Sequence, residues 1–273
     1  MTAPAPLRGL RAAFVFLTRV PVGGFPYTDD EWRWAAAHFP LVGALLGGVV
    51  GAVDHVLLPL GELAAALGAI GASLFLTGAL HEDGLADTSD ALGGAFDRDK
   101  ILAILKDSRV GTFGACALVL SIGGRAALLA RLGAGAPWAF VLAGVAARLG
   151  PVWMIATMPY VSSAQSKSRG VMGAGYVQVG IAAAWTVVVS LSVARTMGVS
   201  PRRLSAVLAA VAVVTLLTGW RYARRLGGIT GDFLGATEQI CELAALGVGP
   251  CVSAGAPFAL PRWFGRYRWF GGL

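Results

Sequence analysis

Seven long apolar stretches constrain the fold of this chain more than any other feature of its sequence. They lie at about 36–53, 63–80, 110–130, 132–158, 176–194, 204–220 and 243–260. A membrane-spanning helix needs about 20 mostly apolar residues, and each stretch comes close to that length. We therefore predict an all-α fold, a polytopic integral membrane helical bundle of about seven transmembrane helices, in a single domain that covers residues 1–273.

The composition supports a membrane protein. Only 14% of the residues are charged, whereas about 25% are charged in a typical soluble domain, so too few charges are present to cover a soluble surface. This excludes a nucleic-acid-binding protein, a secreted disulfide scaffold and a cytosolic enzyme. The segment from Leu7 to Val20 has basic ends and a short apolar centre, and it is predicted to lie in the membrane interface. The fourth stretch contains Arg148 and three prolines, which predict a kinked or broken helix.

The charged residues predict an orientation in the bilayer. With seven spans, 13 Lys and Arg residues fall on the side of the N-terminus and 8 on the other side. The positive-inside rule then predicts a multi-pass protein of the cell (inner or plasma) membrane whose N-terminal side is cytoplasmic. Thirteen of the 15 acidic residues lie on that same side, although orientation does not require this. The excess of acids predicts an active site that faces the cytoplasm.

The first group of acids lies in residues 81–109. Asp83, Asp87 and Asp90 are spaced i, i+4, i+7, which places them on one face of a helix that continues from the stretch 63–80. Three carboxylates on one face repel each other unless a cation lies between them. Oxygen ligands suit Mg²⁺, and Mn²⁺ is also compatible. The alternative is a solvated helix end.

Neighbouring residues add candidate groups to this site. Gly84 is expected to let a ligand approach the backbone closely. His81 is either a general base or metal ligand, or an interfacial histidine. Lys106 and Arg109 precede a span whose first residues are rich in glycine, where basic groups suit a phosphate. The same two residues also fit the basic flank that orients a span.

A second acidic stretch lies at 227–242. Thr230 and Asp232 sit in a glycine-rich turn, and Asp232 is expected to cap the helix that follows. Glu238 and Glu242 are four residues apart on that helix. A capped interfacial helix is the alternative, but two acidic, glycine-rich loops on one side of the membrane favour a joint site.

These motifs together resemble a known family. The stretches HEDGLADTSDALGG, KDSRVGTFGA and GGITGDFLGATEQICE are similar to those of cobalamin synthases, the adenosylcobinamide-GDP ribazoletransferases, and the resemblance extends to FLTRVPV at 16–22 and HFPLVGALLGG at 38–48. It implies that residues 1–273 form a single transmembrane transferase domain that depends on Mg²⁺. Its substrates would be adenosylcobinamide-GDP and α-ribazole or α-ribazole phosphate, and it would release GMP late in cobalamin synthesis. The segment 161–173 departs from the family pattern.

The resemblance also assigns roles to the acidic residues. It implies that Asp83, Asp87, Asp90 and Asp232 hold the metal, and that one of the first three or His81 accepts the proton of the attacking hydroxyl. Lys106 and Arg109 would neutralise substrate phosphates. The remaining candidates would support the metal site or contact the substrate, and they are Glu82, Thr230, Glu238 and Glu242.

Two other classes of protein remain open on the sequence alone. A phosphotransferase of the CDP-alcohol type shares the Asp-Gly-x-x-x-Asp theme and the metal, but it carries Ala-Arg after the glycine, where this chain has Leu85, Ala86 and Asp87. A cation or proton transporter is expected to hold its carboxylates near the middle of the bilayer, whereas the acids here are predicted at the ends of spans. The expected partners are the substrates and the lipid bilayer, with no nucleic acid, and the sequence indicates no oligomeric state.

Overall fold

The computed structural model describes residues 4–161 and 167–248, and this part of the chain folds into α-helices joined by short turns. Twelve α-helices lie in it: α1 Ala5–Leu17, α2 Asp29–Ala35, α3 Phe39–Leu57, α4 Glu62–Thr77, α5 Leu80–Gly94, α6 Arg98–Ile104, α7 Thr112–Ala130, α8 Ala136–Ala147, α9 Leu149–Thr157, α10 Tyr176–Met197, α11 Pro201–Leu226 and α12 Gly231–Val248. Tyr160 and Ile229 form an isolated β-bridge.

Five of the helical segments are long and apolar enough to cross a membrane, and the bent pair α4–α5 would make six. The predicted all-α membrane bundle is therefore confirmed, and the predicted number of about seven spans is approximate. The seventh predicted span, 243–260, lies largely outside the described residues. Its first residues belong to α12, which already begins at Gly231.

The prediction that the 63–80 helix continues through the first acidic group is wrong. The helix α4 ends at Thr77, and Gly78 and Ala79 both adopt left-handed backbone conformations. Glycine reaches that region without strain and commonly ends helices in this way. The chain then turns by 91° into α5. The three aspartates of the first group thus lie on a separate helix.

The fourth predicted span is broken, as its sequence indicated. Helix α8 ends at Ala147, Arg148 stands at the junction, and α9 begins at Leu149. Pro137 occupies the first turn of α8, where a proline costs no hydrogen bond. The break places the side chain of Arg148 in the interior of the bundle, where it is only 5% exposed.

Glycines allow α3 and α8 to pack against each other closely. Gly43, Gly47 and Gly51 lie one turn apart on α3, and a Cβ at any of them would collide with the backbone of α8. At Gly47 the nearest atom, the carbonyl oxygen of Phe140, would lie 2.5 Å away. Small residues at such spacing are typical of tight contacts between membrane helices.

The connections predicted to share the N-terminal side contact one another. The N–H of Val161 donates to Ile229, and the N–H of Ile229 donates to Pro159, both at 2.9 Å. Helix α1 packs on α2 and α3 through its small buried face, and Phe16 stacks on Phe39. Its interfacial position and the cytoplasmic assignment of this side remain predictions.

Candidate active site

Helices α5 and α12 touch backbone to backbone at two glycines. A Cβ on Gly84 would lie 2.7 Å from the carbonyl oxygen of Asp232, and a Cβ on Gly235 would lie 3.3 Å from the Cα of His81. The space that the sequence assigned to a ligand beside Gly84 is therefore filled by α12. The close contact brings the two acidic stretches into one site, as their sidedness predicted.

A cavity of about 120 Å³ opens beside this contact. Its polar walls are the side chains of His81, Asp83, Arg148, Asp232 and Glu238, and apolar residues of α1, α3 and α9 complete it. Sites that enclose a drug-sized ligand measure about 300–1,000 Å³. The cavity therefore receives only a small part of a large ligand, such as a phosphate group.

Two aspartates, Asp83 and Asp232, line the cavity, and Asp87 lies one turn beyond Asp83 on α5. Asp83 is exposed, and Asp87 and Asp232 are partly buried. Asp87 lies within electrostatic range of Asp83, Asp232 and Asp90. Within the described residues no Lys or Arg forms an ion pair with any of these four carboxylates. Like charges gathered without compensation favour the binding of a cation.

The aspartate oxygens suit Mg²⁺ better than a metal whose ligands must all come from the protein. Among the described residues, no three His, Cys, Asp or Glu side chains are placed to hold a metal ion by themselves. Mg²⁺ does not need such a cage, because it is usually bound by one or two carboxylates together with waters and substrate phosphates. Asp83, Asp87 and Asp232 have the right chemistry for that kind of site.

Asp90 differs from the other aspartates because it already has partners. Its two carboxylate oxygens accept hydrogen bonds from the N–H groups of Gly111 and Gly114, at 2.7 and 2.9 Å. These N–H groups lie at the start of α7 and have no partner within their own helix. Asp90 therefore ties α5 to α7, whether or not it also touches a metal.

The cap of α12 is formed by a different residue from the one predicted. The hydroxyl of Thr230 accepts a hydrogen bond from the N–H of Phe233 at 3.2 Å, so Thr230 is the N-cap and Asp232 is not. Because α12 begins at Gly231, Thr230 stands where an N-cap hydroxyl reaches the third helical N–H. Asp232 lines the cavity, and its Oδ2 accepts a hydrogen bond from the Thr230 hydroxyl at 3.4 Å.

Three glutamates form ion pairs inside the bundle. Arg125 binds Glu82 at 2.9 Å and Glu242 at 2.7 Å, and Arg148 lies 3.0 Å from Glu238. The acids were predicted at the ends of spans, and the structure shows Glu82 and Glu238 buried within the bundle. Helix α7 continues to Ala130, and the ion pairs let α12 carry charges into the bundle.

His81 lies between the cavity and these ion pairs. Its side chain is 8% exposed, and its Nδ1 is 3.8 Å from Glu238. It lines the cavity together with Asp83, so both candidate proton acceptors can reach the same small ligand. The structure thus places His81 in the wall of the cavity.

The structure does not bring Lys106 and Arg109 to the cavity. Both are exposed on the connection between α6 and α7. Arg109 donates hydrogen bonds to Asp107, and these bonds hold the pKa of the Asp107 carboxyl below its ordinary value. The phosphate-binding role predicted for the two basic residues remains a prediction.

Comparison with known proteins identifies the family. Residues 9–249 match the family described as cobalamin-5-phosphate synthase. The chain belongs to this cobalamin synthase family. The resemblance predicted from the acidic motifs is thereby confirmed, and the protein is a transferase.

Curated relatives support the assignment over most of the chain. The adenosylcobinamide-GDP ribazoletransferase of Leptothrix cholodnii is 40% identical over 242 residues, which cover 85% of this chain and 91% of the relative. That of Albidiferax ferrireducens is 39% identical, with 84% and 92% coverage. That of Allorhizobium ampelinum is 38% identical, with 90% and 97% coverage. No solved structure matches the chain.

Membership of the cobalamin synthase family decides between the classes that the sequence left open. It supports the transferase of this family over the CDP-alcohol phosphotransferase and over the transporter. Because Glu82 and Glu238 lie inside the bundle, the position of the acids does not exclude a transporter. The family and the arginine partner of each of these glutamates favour the transferase.

Proposed function

We propose that the protein is an Mg²⁺-dependent adenosylcobinamide-GDP ribazoletransferase whose active site faces the cytoplasm from the cell membrane. The observation that carries this proposal is the meeting of uncompensated aspartates from α5 and α12 at one small cavity. The relatives' shared name supports the substrates. The number of basic residues on the side of the N-terminus supports the orientation,.

The reaction is a displacement at phosphorus. A hydroxyl of α-ribazole, or of its phosphate, forms a bond to the phosphorus next to cobinamide. The bridging P–O bond breaks, GMP leaves with that oxygen, and the hydroxyl proton is released. Such transfers depend mainly on positioning and on neutralising charge. The cavity takes up the reacting phosphates, while the corrin and the guanosine lie outside it because of its size.

The aspartate carboxylates would bind the cation. When bound, Mg²⁺ would neutralise the charge that develops on the phosphate oxygens. Asp83, Asp87 and Asp232 would hold it from two helices. Asp90 fixes the position of α5 against α7 through its two hydrogen bonds, which keeps Asp83 and Asp87 at a constant distance from the cavity.

His81 is the proton acceptor that fits best. It lines the cavity, and Glu238 lies 3.8 Å from its Nδ1, so a neighbouring carboxylate would stabilise the imidazolium that forms. Glu238 is in turn held by Arg148. The aspartates are weaker candidates because a bound cation would make them poor bases.

The test is release of GMP by the purified protein in detergent or lipid. With adenosylcobinamide-GDP, α-ribazole and Mg²⁺, GMP and a cobalamin should appear in equal amounts. A chelator should abolish the release, and added Mg²⁺ or Mn²⁺ should restore it. If GMP does not appear under any metal condition, the proposed function is wrong. Full activity in the chelator would reject the metal alone.

A further inference from the structure

Two arginines are buried in the described part of the bundle, and they differ in the number of their glutamate partners. Arg125 and Arg148 are 3% and 5% exposed. Arg125 is neutralised by two glutamates, Glu82 and Glu242, through charge-assisted hydrogen bonds. Arg148 faces a single glutamate, Glu238. A buried charge needs partners for its donors, so the difference bears on what else Arg148 binds.

The hydrogen bonds of Arg148 are incomplete. Its Nη1 donates to the carbonyl oxygen of Gly144 at 2.8 Å. The contact with Glu238 is an ion pair in which the Oε1 of Glu238 accepts no hydrogen bond, and the Nε of Arg148 has no hydrogen-bond partner either. A guanidinium has five N–H groups, and within the described residues only Nη1 is engaged. The remaining donors are available to a ligand.

Among the residues that the structure describes, Arg148 is also the one arginine or lysine in the wall of the cavity. Asp83, Asp232 and Glu238 share that wall with it. Its side chain crosses α3 at Gly43, where a Cβ would lie 2.6 Å from its Cδ. The missing side chain at Gly43 thus makes room for the side chain of Arg148. Lys106 and Arg109 lie on the surface instead.

We propose that Arg148 is a substrate-binding residue that donates hydrogen bonds to the diphosphate of the nucleotide-activated substrate. This rests on the proposed function for the identity of the substrate, but the ligand chemistry is that of any diphosphate ester. The planar guanidinium presents parallel N–H groups to phosphate oxygens, which an ammonium does not. Glu238 and the carbonyl of Gly144 hold the guanidinium in place. Arg148 lines the same cavity as Asp83 and Asp232, which would hold the cation.

The test compares Arg148→Lys with Arg125→Lys as a matched control, since both arginines are buried and paired with glutamate. Inorganic pyrophosphate serves as the probe, and its binding to the purified protein is measured by calorimetry with Mg²⁺ present. Arg148→Lys should weaken pyrophosphate binding about 10- to 100-fold, the usual effect of losing a charge-assisted hydrogen bond. It should raise the KM for adenosylcobinamide-GDP by a similar factor without changing the KM for α-ribazole. Arg125→Lys should leave both quantities within about twofold of the wild type.

A second variant keeps the proposal testable if the first variant does not fold. Arg148→Met combined with Glu238→Met removes both charges of the pair, which buried ion pairs often tolerate. If this variant folds and still binds pyrophosphate like the wild type, Arg148 is only structural and the proposal is wrong. Equal weakening by the Arg125 and Arg148 variants would overturn it as well. Pyrophosphate binding needs no turnover. If the wild-type protein binds pyrophosphate but releases no GMP, the proposed reaction is wrong and the role of Arg148 stands.

Discussion

Asp83 and Asp87 stand on one face of α5 with no basic partner within residues 4–161 and 167–248, although Asp83 reaches the cavity and Asp87 lies one turn further on. We expect Asp83→Asn and Asp87→Asn to fold normally, because no hydrogen bond or ion pair within those residues is lost. Each should lower the rate of GMP release at least about 100-fold, since each removes a charged ligand of the proposed cation.

The control for these variants is Asp99→Asn, which changes an exposed aspartate of α6 on the same side of the protein. It should keep the rate of the wild type. Near wild-type turnover of Asp83→Asn or Asp87→Asn at saturating Mg²⁺ would remove that residue from the metal site.

Asp90 gives a different prediction, because its oxygens accept two N–H groups of α7. Asp90→Ala should lower the free energy of unfolding by about 1–2 kcal/mol, as the loss of other helix caps does. Thermal unfolding in detergent measures this loss, and Asp90→Asn should lose less because its amide oxygen still accepts one bond. A variant with unchanged stability but no activity would show that Asp90 acts as a ligand and not as a cap.

Among single residues, the sequence predicted the side chains that are close together along the chain. It did not predict pairs of residues that come together only in the folded bundle. The spacing of Asp83, Asp87 and Asp90 was enough to place them on one face. The pairing of Arg125 with Glu82 and Glu242 joins positions 43 and 117 residues apart, and no local pattern contains it. The available signal was an unexplained charge within an apolar stretch, at Arg148 in 132–158 and at Arg125 in 110–130.

At the scale of helices, the α5–α12 contact depends on Gly84. We expect Gly84→Ala to push α12 away from α5, because its Cβ would lie 2.7 Å from the backbone of Asp232. Overpacking of this kind costs about 1–3 kcal/mol, and GMP release should fall with it. Gly48→Ala on α3 is the matched control, since a Cβ there meets nothing within 4 Å, and it should be neutral or slightly stabilising. Equal behaviour of the two variants would contradict the close contact.

The shared site of α5 and α12 can be tested by a double variant. Residues that act as one unit are not additive when removed. Asp87→Ala combined with Asp232→Ala should therefore be little slower than the slower single variant, measured as GMP release above background. If the two losses multiply, the helices act independently and the joint site should be abandoned.

The predicted helix boundaries agree with the structure where the apolar stretches contain no charge. They disagree where a helix carries charges that pair with residues of another helix. The stretch 176–194 corresponds to α10 and the stretch 204–220 to α11. The last apolar stretch was predicted to begin at 243, whereas α12 already begins at Gly231 and includes Glu238 and Glu242. Both glutamates pair with arginines of other helices, and hydropathy along the chain cannot register a partner on another helix.

At the scale of the whole molecule, the arrangement of the connections predicts which residues share a side of the membrane. Single cysteines at Ser108, Ala134 and Ala223, all exposed positions, should be introduced after Cys116, Cys241 and Cys251 are replaced. A membrane-impermeant thiol reagent added to oriented vesicles should label 108 and 223 from the cytoplasmic side and 134 from the other side. Labelling of 108 and 223 from opposite sides would contradict the topology, and inversion of all three would reverse the orientation only.

The ion pairs of α12 also impose an order on biosynthesis. The ribosome produces α7, α8 and α9 before α12, so Arg125 and Arg148 enter the membrane while Glu238 and Glu242 are still untranslated. Unpaired charges are costly in a bilayer, so the nascent bundle stays strained until the last described helix arrives and neutralises it. A chain truncated before 231 would keep Arg148 without its glutamate and Arg125 with Glu82 alone, and we expect membrane proteases to recognise and degrade it.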